Sequence, residues 1–306
     1  MVEIFKLAAE AIRGSLARKK AGRNLTVFGD DVFLVSYPRS GNTWTRFLIA
    51  NLAHPNEPTN FANIESRIPE IYLFPDRVLL NLPRPRILKS HECFDPRYKR
   101  VIHIVRDPRD VAVSHYYYSK KRRTIADDFR IEEYVPRFLA GNLTRTMERY
   151  GCWNDHVLSW LALREGHRNF LALRYEDMLE NTGRELAKIG SFLDTDLSRE
   201  TVMRAVELSS STQMRRMEKE QSREWKLTKG TRQDRPFIRN ATSGIWKSVL
   251  PSASVLAIES AWGPLMVSLG YSLTQPQTIS QTLFEIAPYS SRSDATVAGG
   301  EASRKR

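Results

Sequence analysis

Residues 30–52, DDVFLVSYPRSGNTWTRFLIANL, pass from β-branched apolar residues through a polar turn containing Gly41 into a segment with helical spacing. That order predicts a strand, an anion-cradling loop and a helix. A buried strand over 32–36 aims the turn 37–43 at one point. There a helix starting near Thr43 presents unpaired N–H groups and the positive end of its dipole. A phosphate or sulfate suits this geometry. The turn is nevertheless not an ATP-type Walker loop, because Gly41 is followed by Asn42 instead of Lys and no Gly lies five positions earlier. The expected ligand is an anion other than an ordinary nucleoside triphosphate.

The chain has 306 residues, enough for one large α/β core, and no long Pro/Gly/Ser linker divides it. We expect an N-terminal helix and linker over 1–28, one catalytic domain over 29–273, and a C-terminal tail over 274–306 that is polar, small and disordered toward its end. With 47 Lys and Arg against 35 Asp and Glu, the net charge of +12 points to an anionic ligand, nucleic acid or an acidic membrane surface. Charge alone does not choose among them. Cys93 and Cys152 make no disulfide framework and have no metal-ligand spacing, which fits a reducing cytoplasm. No apolar run approaches the roughly 20 residues of a membrane span, and the N-terminus lacks a secretory h-region. Ile4, Phe5, Ala8, Ile12 and Leu16 share one face of the first helix, with basic residues at its end. Such a helix packs on the main domain or touches a membrane peripherally.

Strand-like and helix-like segments then alternate. The stretch 60–82, interrupted by Pro69 and Pro75, reads as a surface excursion, and short strands follow at 86–89 and 101–105. Asp107, Pro108 and Asp110 have the order of a helix N-cap, first position and first turn, predicting a helix over about 108–120. Trp153, Val157, Trp160 and Leu161 keep helical spacing as core residues, 170–174 reads as a strand, and a helix follows over about 181–192. This order implies a three-layer α/β/α architecture with a central parallel sheet. Ligands of such sheets gather at the carboxyl ends of the strands, which groups Arg39, Ser40, Lys89, His91, Arg106 and Tyr175.

Two segments carry a resemblance to a known family. Tyr37 through Trp44 (YPRSGNTW) resembles the 5′-phosphosulfate loop of the cytosolic-type sulfotransferases, and Arg106 through Ser114 (RDPRDVAVS) resembles their 3′-phosphate segment. Lys89-Ser90-His91 is similar to the family's Lys-Thr-His segment, Arg174 through Met178 to its Tyr-Glu-Asp strand end, and Arg239 through Lys247 to its third, Gly-containing loop. The resemblance implies a P-loop-like fold. It also implies transfer of a sulfuryl group from 3′-phosphoadenosine 5′-phosphosulfate (PAPS) to a hydroxyl, phenol or amine of a small-molecule or glycolipid acceptor, releasing PAP without a metal.

By the same resemblance Arg39, Ser40, Gly41, Asn42, Thr43 and Trp44 hold the 5′-phosphosulfate end, Trp44 lying against adenine, and Arg106, Ser114 and Arg239 hold the 3′-phosphate. Tyr175, Thr212 and Met217 close the adenine edges, and Asn240 and Ala241 flank Arg239 in the third loop. His91 is the expected general base, because a neutral imidazole can accept the acceptor's proton. Lys89 and Arg39 are expected to stabilise charge on the departing phosphate. Arg39 stands where the family usually has Lys, and Asn240 and Ala241 where it has Lys and Gly. The family often forms homodimers. The other five histidines are read as structural.

Two alternatives share some of these features. A P-loop kinase or nucleotide phosphotransferase would need the Walker Gly-Lys-Ser/Thr, which is missing. A nucleic-acid-binding protein would use the basic runs 119–123 and 214–235, but runs of this kind are usually solvated faces, and no nucleic acid partner is expected. The stretches 60–82, 115–118 and 221–236 are expected around the acceptor entrance, and their Phe61, Tyr72, Phe74, Tyr116, Tyr117 and Trp225 suit an apolar acceptor or serve as packing.

Overall fold

The computed structural model describes residues 2–17, 24–143, 149–195, 197–239 and 241–275. Its centre is a parallel sheet of β1 (Val32–Ser36), β2 (Ile87–Ser90), β3 (Arg100–Val105) and β4 (Phe170–Arg174), in the order β2-β1-β3-β4. Val32 lies opposite Ile87 on one side and Arg100 on the other, and Val105 lies opposite Arg174. All four strands therefore end at one edge of the sheet. Every residue of β1 is buried, as a strand covered on both faces requires. Val32 and Leu34 pack with Phe47, Leu48 and Ile189 on one face, whereas Phe33 and Val35 pack with Trp160 on the other. The first face is covered by α2 (Asn42–Ala53), the second by the helix Trp153–Arg164. The three-layer architecture expected from the alternating pattern is the one observed.

Helix α3 (Pro108–Lys121) begins as the sequence predicts: the Asp107 carboxylate accepts the Arg109 N–H and Pro108 occupies the first helical position. The longer helices that follow among the described residues are α4 (Ile131–Leu139), α5 (Trp153–Arg164), α6 (Thr182–Phe192), α7 (Arg199–Leu208), α8 (Ser211–Gln221) and α9 (Ser252–Ser268). Both tryptophans of α5 are core: Trp153 Nε1 donates to the Arg106 carbonyl and Trp160 Nε1 to that of Glu92. The N-terminal helix α1 (Val2–Ala17) lies along α5 with Ala8 and Ala11 buried. No helix among the described residues is long and apolar enough to cross a membrane.

The excursion over 60–82 is more ordered than its prolines suggest. It contains single helical turns at Ile64–Arg67 and Asp76–Leu79, and it docks on the free edge of β2. The Lys89 N–H donates to the Pro69 carbonyl at 2.9 Å and the Ile71 N–H to the Lys89 carbonyl at 3.2 Å, satisfying edge groups that would otherwise face solvent. The basic run 119–123 also differs from a solvated face. Lys120 and Lys121 are buried, Lys120 Nζ donating to the Asp127 carbonyl and Lys121 Nζ to the Arg232 and Arg235 carbonyls. The C-terminal tail from residue 276, expected to be disordered toward its end, and Asn240 lie outside the described residues.

Candidate functional site

The carboxyl ends of the four strands open into one cavity of about 560 Å³. Of the sequence-selected residues, Arg39, Gly41, Asn42, Thr43, Trp44, Lys89, His91, Arg106, Ser114, Tyr175, Arg239 and Ala241 line it. Ser40 does not: its side chain is fully buried and its N–H closes the turn onto the Tyr37 carbonyl. Thr212 is exposed and Met217 packs beside the core, so neither reaches the cavity wall; Ser210, Ser211 and Met214 do. The reason is rotational. Ser210 caps α8 by accepting the Gln213 N–H, and the helix it starts turns Ser211 and Met214, three residues apart, inward.

The loop after β1 is held in an unusual backbone. Arg39 (φ 71°) and Gly41 (φ 96°) both lie in the left-handed region. For Arg39 that conformation costs about 1–2 kcal/mol relative to the right-handed one. At Gly41 the absent side chain matters as much, because a Cβ would lie 2.4 Å from Cδ2 of Tyr175. The turn thereby delivers the first amides of α2 to the cavity, where a helix lacks internal acceptors. Trp44 meets Tyr175 edge to face at 5.8 Å and donates its Nε1–H to the Ser209 carbonyl. The Asn42 side chain, in contrast, faces inward and donates to the Leu34 carbonyl and Ser36 Oγ of β1. Its side-chain donor is thereby engaged within the protein, and the backbone N–H is what it can offer an anion.

Cations converge on this loop from three directions. The Arg39 guanidinium lies against both the Tyr118 and Phe237 rings, 4.5 and 4.6 Å from their centroids, where the two rings meet edge to face, and it donates to Ser114 Oγ and to the Phe237 carbonyl, both at 3.2 Å. Burial lowers its pKa to about 10. Arg106, at the end of β3, lies over the Tyr175 ring at 4.3 Å and donates to the Arg39 and Thr242 carbonyls, so it also ties the first loop to the third. Its buried Nε has no partner within the protein. Arg239 lies over Tyr117 at 3.9 Å, its pKa lowered by burial. The third loop is held by Asp110, whose carboxylate accepts the Gly244 and Trp246 N–H groups at 2.6 and 3.0 Å. Ala241 sits at φ 52°, a conformation Gly would adopt freely.

At the end of β2, His91 Nδ1 lies 2.7 Å from the Ser36 carbonyl. A carbonyl only accepts, so Nδ1 carries the proton and Nε2 presents its lone pair. Burial first, and then the charge of Lys89, hold this imidazole well below the ordinary histidine pKa, so it is neutral. The Tyr72 hydroxyl accepts the His91 N–H at 2.8 Å, and the Tyr150 ring packs edge-on at 5.7 Å. Lys89 is not free: its Nζ donates to Glu70 Oε2 at 2.6 Å, with both side chains almost fully buried. Burial lowers the Lys89 pKa, partly offset by Glu70.

Two residues of this wall belong to the stretches 60–82 and 115–118 expected around the entrance, but were not singled out individually. Glu70 lies in the irregular excursion and is brought to Lys89 only by docking on β2. His115, read as structural, lines the cavity beside Tyr118 and Ser119. Its Nδ1 is 2.5 Å from the Tyr134 hydroxyl, and burial pushes its pKa down to about 3. Its spacing one residue after Ser114 and three before Tyr118 on α3 was the available signal. None of the six aromatic residues expected near the entrance lines the cavity; Phe61, for example, stacks on Trp225 at 4.3 Å within the core. Tyr118, Tyr150 and Phe237 form the aromatic wall instead. Among the described residues no group of three or more His, Cys, Asp or Glu could hold a metal ion.

Comparison with known proteins identifies relatives of this arrangement. The family described as "Sulfotransferase domain" matches residues 29–270. Mouse sulfotransferase 1B1 is 30% identical over 234 residues, covering 71% of this chain and 76% of the relative. A 3-beta-hydroxysteroid sulfotransferase of Cavia porcellus is 31% identical over 229 residues, covering 71% and 77%. Among solved structures, mouse sulfotransferase SULT7A1 complexed with PAP superposes with a TM-score of 0.64 at 23% identity, covering 81% of this chain and 88% of that one.

Proposed function

The chain belongs to the sulfotransferase domain family, and from that premise we propose that it transfers a sulfuryl group from PAPS to a small-molecule acceptor, with His91 as general base. The observation that carries the reading is one cavity in which a neutral imidazole, its Nε2 lone pair open, faces an anion loop flanked by Arg39, Arg106 and Arg239. PAPS has anionic groups at both ends of one nucleoside and therefore calls for two cradles. The amides of the first turn of α2 and the Thr43 hydroxyl suit the 5′-phosphosulfate. Arg106, Ser114 and Arg239 suit the 3′-phosphate, and Trp44 and Tyr175 the base between them.

In the proposed reaction the acceptor oxygen forms a bond to sulfur as the bond from sulfur to the bridging oxygen breaks. The acceptor's proton passes to His91 Nε2, and the electron pair of the broken bond stays on the phosphate of PAP. Arg39 and Lys89 offset that growing negative charge. Arg39 can supply charge and a bidentate fork but is a poor proton donor even with its lowered pKa. The cationic groups perform this work through the protein's own side chains, and we propose that no metal takes part. Relatives whose names include a hydroxysteroid support an alcohol acceptor, and the wall of Tyr118, Tyr150 and Phe237 suits an apolar ring system.

The test is calorimetric titration with PAP and with ATP, followed by a mass-shift screen with PAPS over phenols, steroid alcohols and primary amines. Tight PAP binding, weak ATP binding and a mass gain of one SO3 group on an acceptor are expected. ATP binding without PAP binding would transfer the assignment to a nucleotide phosphotransferase.

A further inference from the structure

Among the described residues, Glu70 is the one carboxylate that lines the cavity at its proposed reactive end. Asp110, the other acid lining it, is committed to the amides of the third loop. The placement of Glu70 is built in several layers. Its backbone is bridged to Lys89 across the edge of β2, so the two side chains leave adjacent strands at one level. Its own N–H donates to Glu65 Oε2 at 3.0 Å, and the same oxygen pairs at 3.0 Å with the fully buried Arg46 of α2. Arg46 in turn donates to the Ile68 carbonyl. The segment that carries Glu70 is thus fastened at one end to the helix of the anion loop and at the other to the strand of His91.

We propose that Glu70 is a positioning residue for sulfuryl transfer, acting through its ion pair with Lys89. The inference rests on the PAPS-dependent reading above. A lysine in so buried a place stays charged only with a partner, and without one it sheds its proton or swings toward water. The groups facing Lys89 are Glu70 and Glu65 from the docked segment, Arg46 from α2 and His91 from its own strand end. Of these, only Glu70 touches the ammonium with opposite charge, at 2.6 Å. Glu70 therefore keeps Lys89 an ammonium and keeps it beside His91, where it can meet the phosphosulfate. Through Lys89 it also helps keep His91 neutral.

Two measurements test this on the full chain. The first is the titration of Lys89 Nζ by NMR on lysine-labelled protein, assigned with Lys89→Ala, and it does not depend on turnover. In Glu70→Gln, which keeps the shape of the side chain, the Lys89 pKa should fall by about one unit or more, as expected for loss of an adjacent opposite charge. In Glu70→Asp it should return most of the way. The second is a double-mutant cycle on kcat, using the acceptor turned over fastest in the screen above. Glu70→Gln should lower kcat by roughly tenfold in the wild-type background and less than about twofold in Lys89→Ala, with the alkaline limb of its pH profile moved to lower pH. An unchanged Lys89 titration in Glu70→Gln overturns the proposal. So does an equal loss of kcat in both backgrounds, which would mean that Glu70 meets the substrates directly. Failure of the wild type to bind PAP or consume PAPS would instead refute the functional reading, and the titration would still decide whether Glu70 controls the state of Lys89.

Discussion

Lowering the pH separates this histidine from an ordinary one. A general base with the usual pKa near 6.5 is half protonated there, and each further unit of acid costs about tenfold in rate. His91 is held lower, chiefly because burial disfavours the imidazolium and next because Lys89 lies beside it, and the hydrogen bond to the Ser36 carbonyl opposes these only in part. Bound PAPS brings negative charge that offsets Lys89, but it also fills the cavity and strengthens the desolvation. The limb therefore stays on the acid side of 6.5 in the donor complex. We expect kcat/KM for an alcohol acceptor, measured at saturating PAPS and constant ionic strength, to change less than about twofold between pH 7.5 and 6.0; an ordinary histidine would lose about fourfold across that interval. An alcohol is required because its hydroxyl does not titrate in the range, and saturation removes the titration of free PAPS. Product is followed by mass spectrometry. A half-loss of kcat/KM at pH 6.5 would refute the reasoning, since it would mean that His91 behaves as if solvated or that another group limits the reaction.

Four further outcomes are expected. His91→Ala should lower turnover by about 100-fold or more while leaving PAP affinity nearly intact, because its ring hydrogen bond goes to Ser36; near-normal turnover would remove it from the mechanism. Arg39→Lys keeps a positive charge but loses the fork that joins Ser114 Oγ to the Phe237 carbonyl and the flat group that lies against the Tyr118 and Phe237 rings. It should weaken PAP binding about tenfold by calorimetry, as loss of one charged hydrogen bond of about 1.5 kcal/mol predicts, and unchanged affinity and turnover would show that charge alone suffices. Gly41→Ala should cost more than about tenfold in PAP affinity, since its Cβ collides with the Tyr175 ring at a left-handed φ; wild-type affinity would contradict the close packing. His103 and His115 are buried and depressed to about 3. Their stabilising contribution is complete above the unfolded pKa near 6.5 and is lost as pH falls toward 3, at up to about 1.4 kcal/mol per pH unit for each; denaturation midpoints that stay flat from pH 7 to 5 would refute this.

The strands and the helices that follow them were legible because their signals are local. The apolar run before Tyr37 ends at Ser36 in the structure, and Asp107-Pro108 starts α3 where it was expected. The excursion over 60–82 was not legible, since what orders it is backbone pairing with Lys89 and the Arg46–Glu65 contact, both made by residues distant in sequence. The same limit hid the role of Asp110. In sequence it is an acid in the first turn of a helix, where it complements the dipole. In the fold it also grips two amides of the third loop, 134 and 136 residues away. Thr212 falls off the cavity wall for a smaller reason: the cap two residues before it sets the rotation of α8, and motif spacing does not report which face turns inward.

The charge balance left three readings open, an anionic ligand among them, and the placement of the cations narrows the choice. Several cations are in the interior with partners of their own. Arg86 pairs with Asp31, Arg109 with Asp107 and Glu259, Arg46 with Glu65, and Lys121 holds two loop carbonyls beside Glu218. These are cross-links, because a charge taken out of water must be matched where it lies. Arg39 and Arg239 are different. Each is partly buried, each has a pKa lowered by that burial, and neither has a carboxylate within ion-pair distance among the described residues. The Tyr118 and Phe237 rings and the Phe237 carbonyl hold Arg39, and the Tyr117 ring holds Arg239, without neutralising either. Two cationic groups left without a carboxylate at a common cavity suit a ligand that brings its own negative charge, and an anion with two separated phosphate groups is of that kind.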